Sequence, residues 1–343
     1  MSEPAAGAPA RGPGWKSYAG LTVGVVLLAG LTLAFGLRPI AAAAASVGLL
    51  GFVGICAAWT GVLVILGAAW MTAAPDAKPG SLGGFAWART VREAASDVLP
   101  FSQVGGLVFG ADAAAAATGL SAAAVWASLV VDLTTEMASQ LVYTLGGVAG
   151  LGWRLTRGGA ETENAAALLW GGLALLVAGV LVTTAFVLLQ RRGLAWAAGL
   201  ASRWLPGAAK GAAGVQAELD RAYRRRTRLL LSTALHGAGW LASGLVSWWM
   251  LALMGTPLPL LAVLTVESLM YAVKSFGFAI PGALGVQEAA YVLIGPLFGL
   301  PPQTALALSL LKRARDIAVG VPVLVLWRLG EARRLALKAR PAP

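Results

Sequence analysis

The chain has 343 residues, 58% of them hydrophobic and 12% charged, with a net charge of +11. This composition excludes an ordinary soluble domain and predicts a polytopic membrane protein. The single cysteine, Cys56, and the single histidine, His236, exclude a disulfide framework and a multi-histidine metal site, so we expect neither a metal nor a cofactor. Since the basic residues lie beside apolar runs, they indicate membrane orientation rather than nucleic-acid binding.

Six apolar segments are each long enough to cross a bilayer as a helix. The first resembles a signal peptide but exceeds the usual apolar length of one, so we interpret it as a retained span. The connections leave no room for a separate catalytic domain, and we expect no enzymatic activity. The predicted spans are 21–37, 47–72, 119–150, 164–189, 227–254 and 303–328.

Two further regions, 83–117 and 257–299, carry charges and are interrupted by Pro and Gly. The loop 190–228 holds nine basic residues and should therefore be cytoplasmic. If both regions enter and leave on one face as re-entrant helical hairpins, six spans place this loop and both termini in the cytoplasm. The sequence thus predicts an all-α protein with six full spans and two re-entrant hairpins.

The same count indicates an inverted repeat, because each half has the order span, span, hairpin, span. "VLPFSQVGG" in the first half corresponds to "AIPGALGVQ" in the second, although Pro and Gly recur in many membrane helices. The predicted divisions are a cytoplasmic tail 1–20, a first repeat 21–150, a second repeat 164–328 and a basic cytoplasmic tail 329–343.

Charged residues near the middle of predicted spans are candidates for a transport site, because a charge there costs about 2.5 to 3.5 kcal/mol. We expect Asp132 and Glu136 to pair with Arg313 and Arg315 between the halves. Structural ion pairing and a ligand or proton site remain alternatives. The spacing puts the last span's ionisable residues on one face, except Arg313; that face bears Lys312, Arg315 and Asp316.

The first arms of the hairpins supply further charged candidates. We expect Arg89 to lie on a charged amphipathic helix at the cytoplasmic membrane surface, and the same position is an alternative for Arg92. His236 is expected to be a hydrogen-bonded packing residue. The candidates in the arms are Arg92, Glu93, Asp97, Glu267 and Lys274.

The two interruptions are candidates for substrate binding, because irregular backbone at membrane depth lines cavities in transporters. A helix that begins near residue 285 would direct its N-terminal amides at the break and favour an anion there. Glu288 either complements that helix end or titrates. The candidates at the breaks are Pro100, Gln103, Gly105, Gly106, Pro281, Gly282, Gly285, Gln287 and Glu288.

The runs "IPGALGVQEAAYVLIGPLFGL" and "ALSLLKRARDIAVGVP" resemble the membrane domain of the lysylphosphatidylglycerol synthase/flippase family, in particular its stand-alone branch associated with hopanoid biosynthesis. The resemblance implies movement of a phospholipid or hopanoid-type lipid between leaflets. Gln287 stands where many relatives carry Arg, which implies a different headgroup preference, and we expect no aminoacyl-transferase domain and hence no synthesis of lysylphosphatidylglycerol.

We therefore expect a lipid transporter of the flippase type in the bacterial inner membrane, with membrane lipids as partners. The alternative is a non-catalytic scaffold for hopanoid- or lipid-modifying enzymes, which would dock on the basic loop. An intramembrane enzyme is a third interpretation, since paired carboxylates can do acid–base work but no nucleophile stands beside them. The lipid, the coupling ion and the oligomeric state stay open.

Overall fold

The structure is a computed structural model, and the described residues form ten α-helices, two short 3-10 helices and no strand. It describes residues 42, 45–98, 102–157, 165–201, 208–277, 280 and 283–338. The expectation of an all-α membrane protein is confirmed. The α-helices in chain order are α1 Gly48–Ala73, α2 Leu82–Val98, α3 Ser102–Thr118, α4 Ala122–Arg157, α5 Ala165–Ala201, α6 Ala208–Arg224, α7 Arg226–Leu253, α8 Leu260–Phe276, α9 Val286–Ile294 and α10 Pro302–Lys338.

Five of the six predicted spans coincide with long helices, namely α1, α4, α5, α7 and α10. The sixth, 21–37, lies outside the described residues. Within the described part, three helices are long and apolar enough to cross a membrane: Gly48–Ala73, Leu169–Gln190 and Arg226–Leu253. The total of six spans therefore stays a prediction.

The described helices bury three apolar clusters and present a further apolar surface outward. α1 packs along α7, and Ile55 and Met250 are fully buried in the core between them. On α5, by contrast, Val177, Leu181 and Leu188 are each more than half exposed. Apolar side chains exposed in a row along a helix of this length suit contact with lipid chains.

Both interrupted regions form pairs of packed helices. α2 packs closely against α3, and α8 packs against α9. The first helix of each pair also contacts the long helix of the other half: α2 lies against α10, and α8 lies against α4. The predicted interruption near residue 281 is confirmed, because α8 ends at Phe276 and α9 begins at Val286.

The segment 190–228, predicted as a cytoplasmic loop between two spans, is largely helical, since α5 continues to Ala201 and α6 follows it; its cytoplasmic position stays a prediction. The loop prediction relied on charge and missed the apolar face of α6. Leu219 and Ala222 of that face pack against Val131 of α4. The opposite face exposes arginines such as Arg224.

Candidate functional site

A polar cavity lies where α1, α2, α4, α7, α8, α9 and α10 meet, and we call it the central cavity. Charged side chains inside a bundle of apolar helices are costly unless they are paired or serve a ligand. Four of its ionisable residues are cationic and four are anionic. They are Arg89, Glu93, Asp97, Glu136, Lys274, Lys312, Arg315 and Asp316.

The two acids of α4 pair with two arginines of α2. Asp132 accepts from Arg92 at 2.9 Å and from Arg89 at 3.3 Å. Glu136 accepts from Arg89 at 2.7 Å and from Arg92 at 2.9 Å. His236 Nε2 lies 3.0 Å from the other oxygen of Asp132, which confirms a hydrogen-bonded packing role. The result is a buried cluster of two guanidinium groups, two carboxylates and an imidazole.

The expected pairing of Asp132 and Glu136 with Arg313 and Arg315 is therefore wrong. The surface interpretation of Arg89 is wrong as well, since it is only 2% exposed. The reason lies in packing: α2 is inserted between α1 and α10, and its residues three apart share one face that reaches α4. The same insertion buries Arg92.

A second buried ion pair connects α8 and α10. Lys312 Nζ donates to Glu267 at 2.7 Å and to the Tyr291 hydroxyl at 2.7 Å. Tyr291 itself donates to Glu267. Lys312 Nζ also donates a hydrogen bond to the Ser247 hydroxyl at 3.3 Å. Both charged side chains are at most 2% exposed, so each depends on the other for compensation.

Arg315 occupies the wall between α1 and α10 and is incompletely paired. Its guanidinium stacks on the ring of Trp59 at 3.8 Å and bonds Asp316 through Nε and Nη2 at 2.9 and 2.6 Å. Its Nη1 is buried and has no hydrogen-bond partner in the protein, and the same holds for Nε of Arg89 and Nε1 of Trp240. All three side chains line the central cavity. Unpaired buried donors on residues that line one cavity are suited to an anionic ligand.

The carboxylate after the interruption has a structural role. Gly285 has φ +77°, a left-handed conformation that favours glycine, and it caps α9. Glu288 accepts from the Gly285 amide at 2.8 Å, which confirms that it complements this helix end. Arg313 bonds Glu288 and, through Nη2, the carbonyl of Ala283 at 3.2 Å. The broken backbone is thus held by an ion pair that the sequence spacing did not reveal.

The structure brings most of the charged candidates together. Those lining the central cavity are Glu93, Asp97, Glu136, Lys274, Gln287, Lys312, Arg315 and Asp316. Asp132, Arg92 and Glu267 adjoin it through ion pairs, as described above. Gly105 and Gly106 lie in α3, and a Cβ atom on Gly106 would approach Ser96 Oγ to 2.0 Å, so Gly106 serves hairpin packing. Outside the described residues are Pro100, Pro281, Gly282 and the side chain of Gln103.

Sequence reasoning missed the aromatic part of the wall. Trp59, Trp240 and Tyr271 line the central cavity, and Tyr271 accepts or donates a hydrogen bond with Ser243 at 2.9 Å. Isolated aromatic residues are common in membrane-spanning helices, so their presence alone does not indicate where a site lies. The spacing of Arg89 and Arg92 by three was the one available signal for a buried cationic face.

The only residues in the described part that are grouped like metal ligands are Asp132, Glu136 and His236, whose ligand atoms lie within 4.8 Å of one another. Arg89 and Arg92 already bond three of the four carboxylate oxygens, and His236 bonds the fourth. A divalent cation would face two guanidinium groups at close range, so the donor set fits an arginine–carboxylate cluster better than a metal centre.

Comparison with known proteins places the chain in a family of membrane proteins. No curated protein and no solved structure is significantly similar to it. The family model of the lysylphosphatidylglycerol synthase TM region, in contrast, matches residues 18–323, which include every residue that lines the central cavity. The chain therefore belongs to the lysylphosphatidylglycerol synthase TM-region family.

Proposed function

We propose that the protein is a lipid transporter of the flippase type that moves a phospholipid or hopanoid-type lipid between the leaflets of the bacterial inner membrane. The observation that carries the proposal is the central cavity, where eight ionisable residues surround empty space inside apolar helices. Fully paired structural charges would need no such space. A lipid headgroup crossing the bilayer needs a polar compartment of this kind.

Apolar grooves beside the cavity suit the acyl chains of the same lipid. One groove is lined by α4, α5 and α8 and continues into a larger one of about 1540 Å³ along α5, α8 and α9, with which it shares Leu175 and Phe276. Both are lined mainly by apolar side chains. With the headgroup in the cavity and the acyl chains in these grooves, the polar part of the lipid would stay in polar surroundings and the apolar part in apolar surroundings.

Gln140 and Ser275 lie at the boundary between cavity and groove. Gln140 is one helical turn beyond Glu136 on α4, and Ser275 is one turn beyond Tyr271 on α8. Gln140 Nε2 donates to Ser275 Oγ at 2.5 Å, and both residues line the groove. We propose that separation of this pair opens the lateral route for the headgroup.

Two features support the inverted repeat and hence alternating access. Each hairpin's first helix packs on the long helix of the other half, as a two-fold relation requires. The buried ion pairs also correspond with exchanged signs: α2 cations meet α4 acids, whereas the α8 acid Glu267 meets the α10 cation Lys312. Both termini in the cytoplasm complete the proposed topology.

Reconstitution into liposomes tests the proposal. Purified protein should accelerate the exchange of fluorescent phospholipid between leaflets above protein-free vesicles, measured by quenching of the outer leaflet. Cysteines at positions 140 and 275 in a Cys56→Ser background, joined by a short cross-linker, should abolish that acceleration, whereas either single cysteine should not. Exchange that stays at the protein-free rate would favour the scaffold, docked through the arginines of α6.

A further inference from the structure

We propose that the central cavity binds the phosphoethanolamine headgroup of a glycerophospholipid, with the phosphate at Arg315 and the ammonium group at Asp97. The inference rests on the proposed function, since it names the headgroup that the transporter would carry. It follows from three properties of the cavity: buried donors without partners, a carboxylate-lined recess beside it, and the net charge of its ion-paired side chains.

The phosphate end is defined by donors that the protein leaves without partners. Arg315 Nη1 and Trp240 Nε1 are buried on the cavity wall and bond nothing in the protein. Lys274 also lines the cavity, and its one ion pair, with Asp97, is long at 4.0 Å. A phosphate oxygen accepts strong charge-assisted hydrogen bonds from a guanidinium and an ammonium group.

The ammonium end is a narrow recess that lies beside the cavity between α1, α2 and α10. Among the described residues that line it, three are carboxylates and none is cationic: Glu93, Asp97 and Asp316. Glu93 already bonds Arg89 at 2.8 Å, and Asp316 bonds Arg315. Asp97 has only the long contact with Lys274, so it is the carboxylate with capacity for a further cation.

The charges of the site favour a headgroup that carries an amine. With Arg92, Asp132 and Glu267, which pair with residues of the cavity wall, the site holds five cationic and six anionic side chains. A phosphate without an amine would add another uncompensated negative charge in apolar surroundings, which is costly.

The recess also favours a primary over a quaternary ammonium group. Quaternary ammonium ions are recognised by open aromatic faces. The one aromatic ring that lines the recess belongs to Trp59, and Arg315 already covers it at 3.8 Å. A primary ammonium group instead donates hydrogen bonds to carboxylates, which the recess supplies.

Lipid binding to the purified protein, measured by native mass spectrometry, tests the assignment without requiring transport. The probes are phosphatidylethanolamine, phosphatidylglycerol and phosphatidylcholine with the same acyl chains. We expect phosphatidylethanolamine to bind roughly tenfold more tightly than either of the others, the amount that one charge-assisted hydrogen bond contributes. Equal binding of all three, or a preference for phosphatidylglycerol, would overturn the proposal.

Two variants test which residue binds the amine of the headgroup and which binds the phosphate. Asp97→Asn should weaken phosphatidylethanolamine binding about tenfold and leave phosphatidylglycerol binding unchanged, because only the former has an amine. Arg315→Lys keeps the positive charge but removes the forked guanidinium, and it should weaken both lipids by a similar factor. Asp97→Asn weakening both lipids equally would indicate a merely structural role and contradict the assignment.

Soluble glycerophosphoethanolamine separates a lipid from a free headgroup as the ligand. We expect it to compete only at concentrations far above the lipid, because it lacks the chains that the grooves would hold. Competition as strong as that of the lipid would assign the cavity to a free ligand and overturn the lipid part. Selective binding of phosphatidylethanolamine without leaflet exchange would refute the proposed transport function, whereas the assignment of the headgroup site would still hold.

Discussion

Removal of Lys312 alone should destabilise the protein far more than removal of the whole ion pair. Lys312 Nζ lies 2.7 Å from Glu267, and the two side chains are 2% and 1% exposed. Lys312→Met therefore leaves a buried carboxylate whose remaining partner is the Tyr291 hydroxyl. Breaking a buried pair from one side costs about 3 to 5 kcal/mol.

The double variant Glu267→Gln with Lys312→Met removes both charges and should recover a large part of that loss. We expect the two substitutions to be non-additive by about 1.5 to 3 kcal/mol, since the residues are in direct contact. The free energy of unfolding is measured by titrating detergent-solubilised protein with SDS and following tryptophan fluorescence.

The exposed pair Arg334 and Glu331, 2.8 Å apart on α10, is the matched control. Their side chains are 48% and 32% exposed, so the corresponding cycle should give a coupling below about 1 kcal/mol. If the Glu267 and Lys312 effects add within about 0.5 kcal/mol, the buried pair is not formed and the reasoning fails.

Three further predictions concern backbone and topology. Gly285→Ala should destabilise by about 1 to 2 kcal/mol because φ is +77°, whereas Gly211→Ala in open space on α6 should not, by the same SDS titration. Gly106→Leu should reduce the yield of folded monomer in size-exclusion chromatography, because its Cβ would meet Ser96 Oγ at 2.0 Å; a normal yield would refute the close hairpin contact. Ala217→Cys, in a background lacking the native cysteine, should react with an impermeant maleimide only from the cytoplasmic side, and labelling from outside would overturn the hairpin count.

The helices were largely predictable because apolar length determines where a chain can span a membrane. The segments that became α1 and α7 were predicted within one residue at each end, and the interruption before Gly285 followed from Pro and Gly. α6 was missed because its basic residues dominate a segment whose apolar face is narrow. Such a face is recognised only by helical periodicity.

The partners of the charges were not predictable from spacing. Periodicity correctly separated Arg313 from Lys312 and Arg315, but it does not say which helix each face meets. Arg89 shows the limit, since a charged amphipathic segment is typical of a surface helix and only tertiary packing buries it against Asp132. The unpaired donor on Arg315 likewise appears only when every neighbour is placed.

The most direct test of a headgroup pathway through the central cavity is the leaflet-exchange rate of Lys274→Gln. Lys274 lines the cavity, and its one ion pair is 4.0 Å long between side chains that are 19% and 18% exposed, so we expect the substitution to lower the free energy of unfolding far less than Lys312→Met does. Loss of a phosphate contact should lower exchange by about tenfold relative to wild type. Arg334→Gln, on the exposed end of α10, should exchange at the wild-type rate. An unchanged rate for Lys274→Gln in a protein that does accelerate exchange would contradict passage of the headgroup through this cavity.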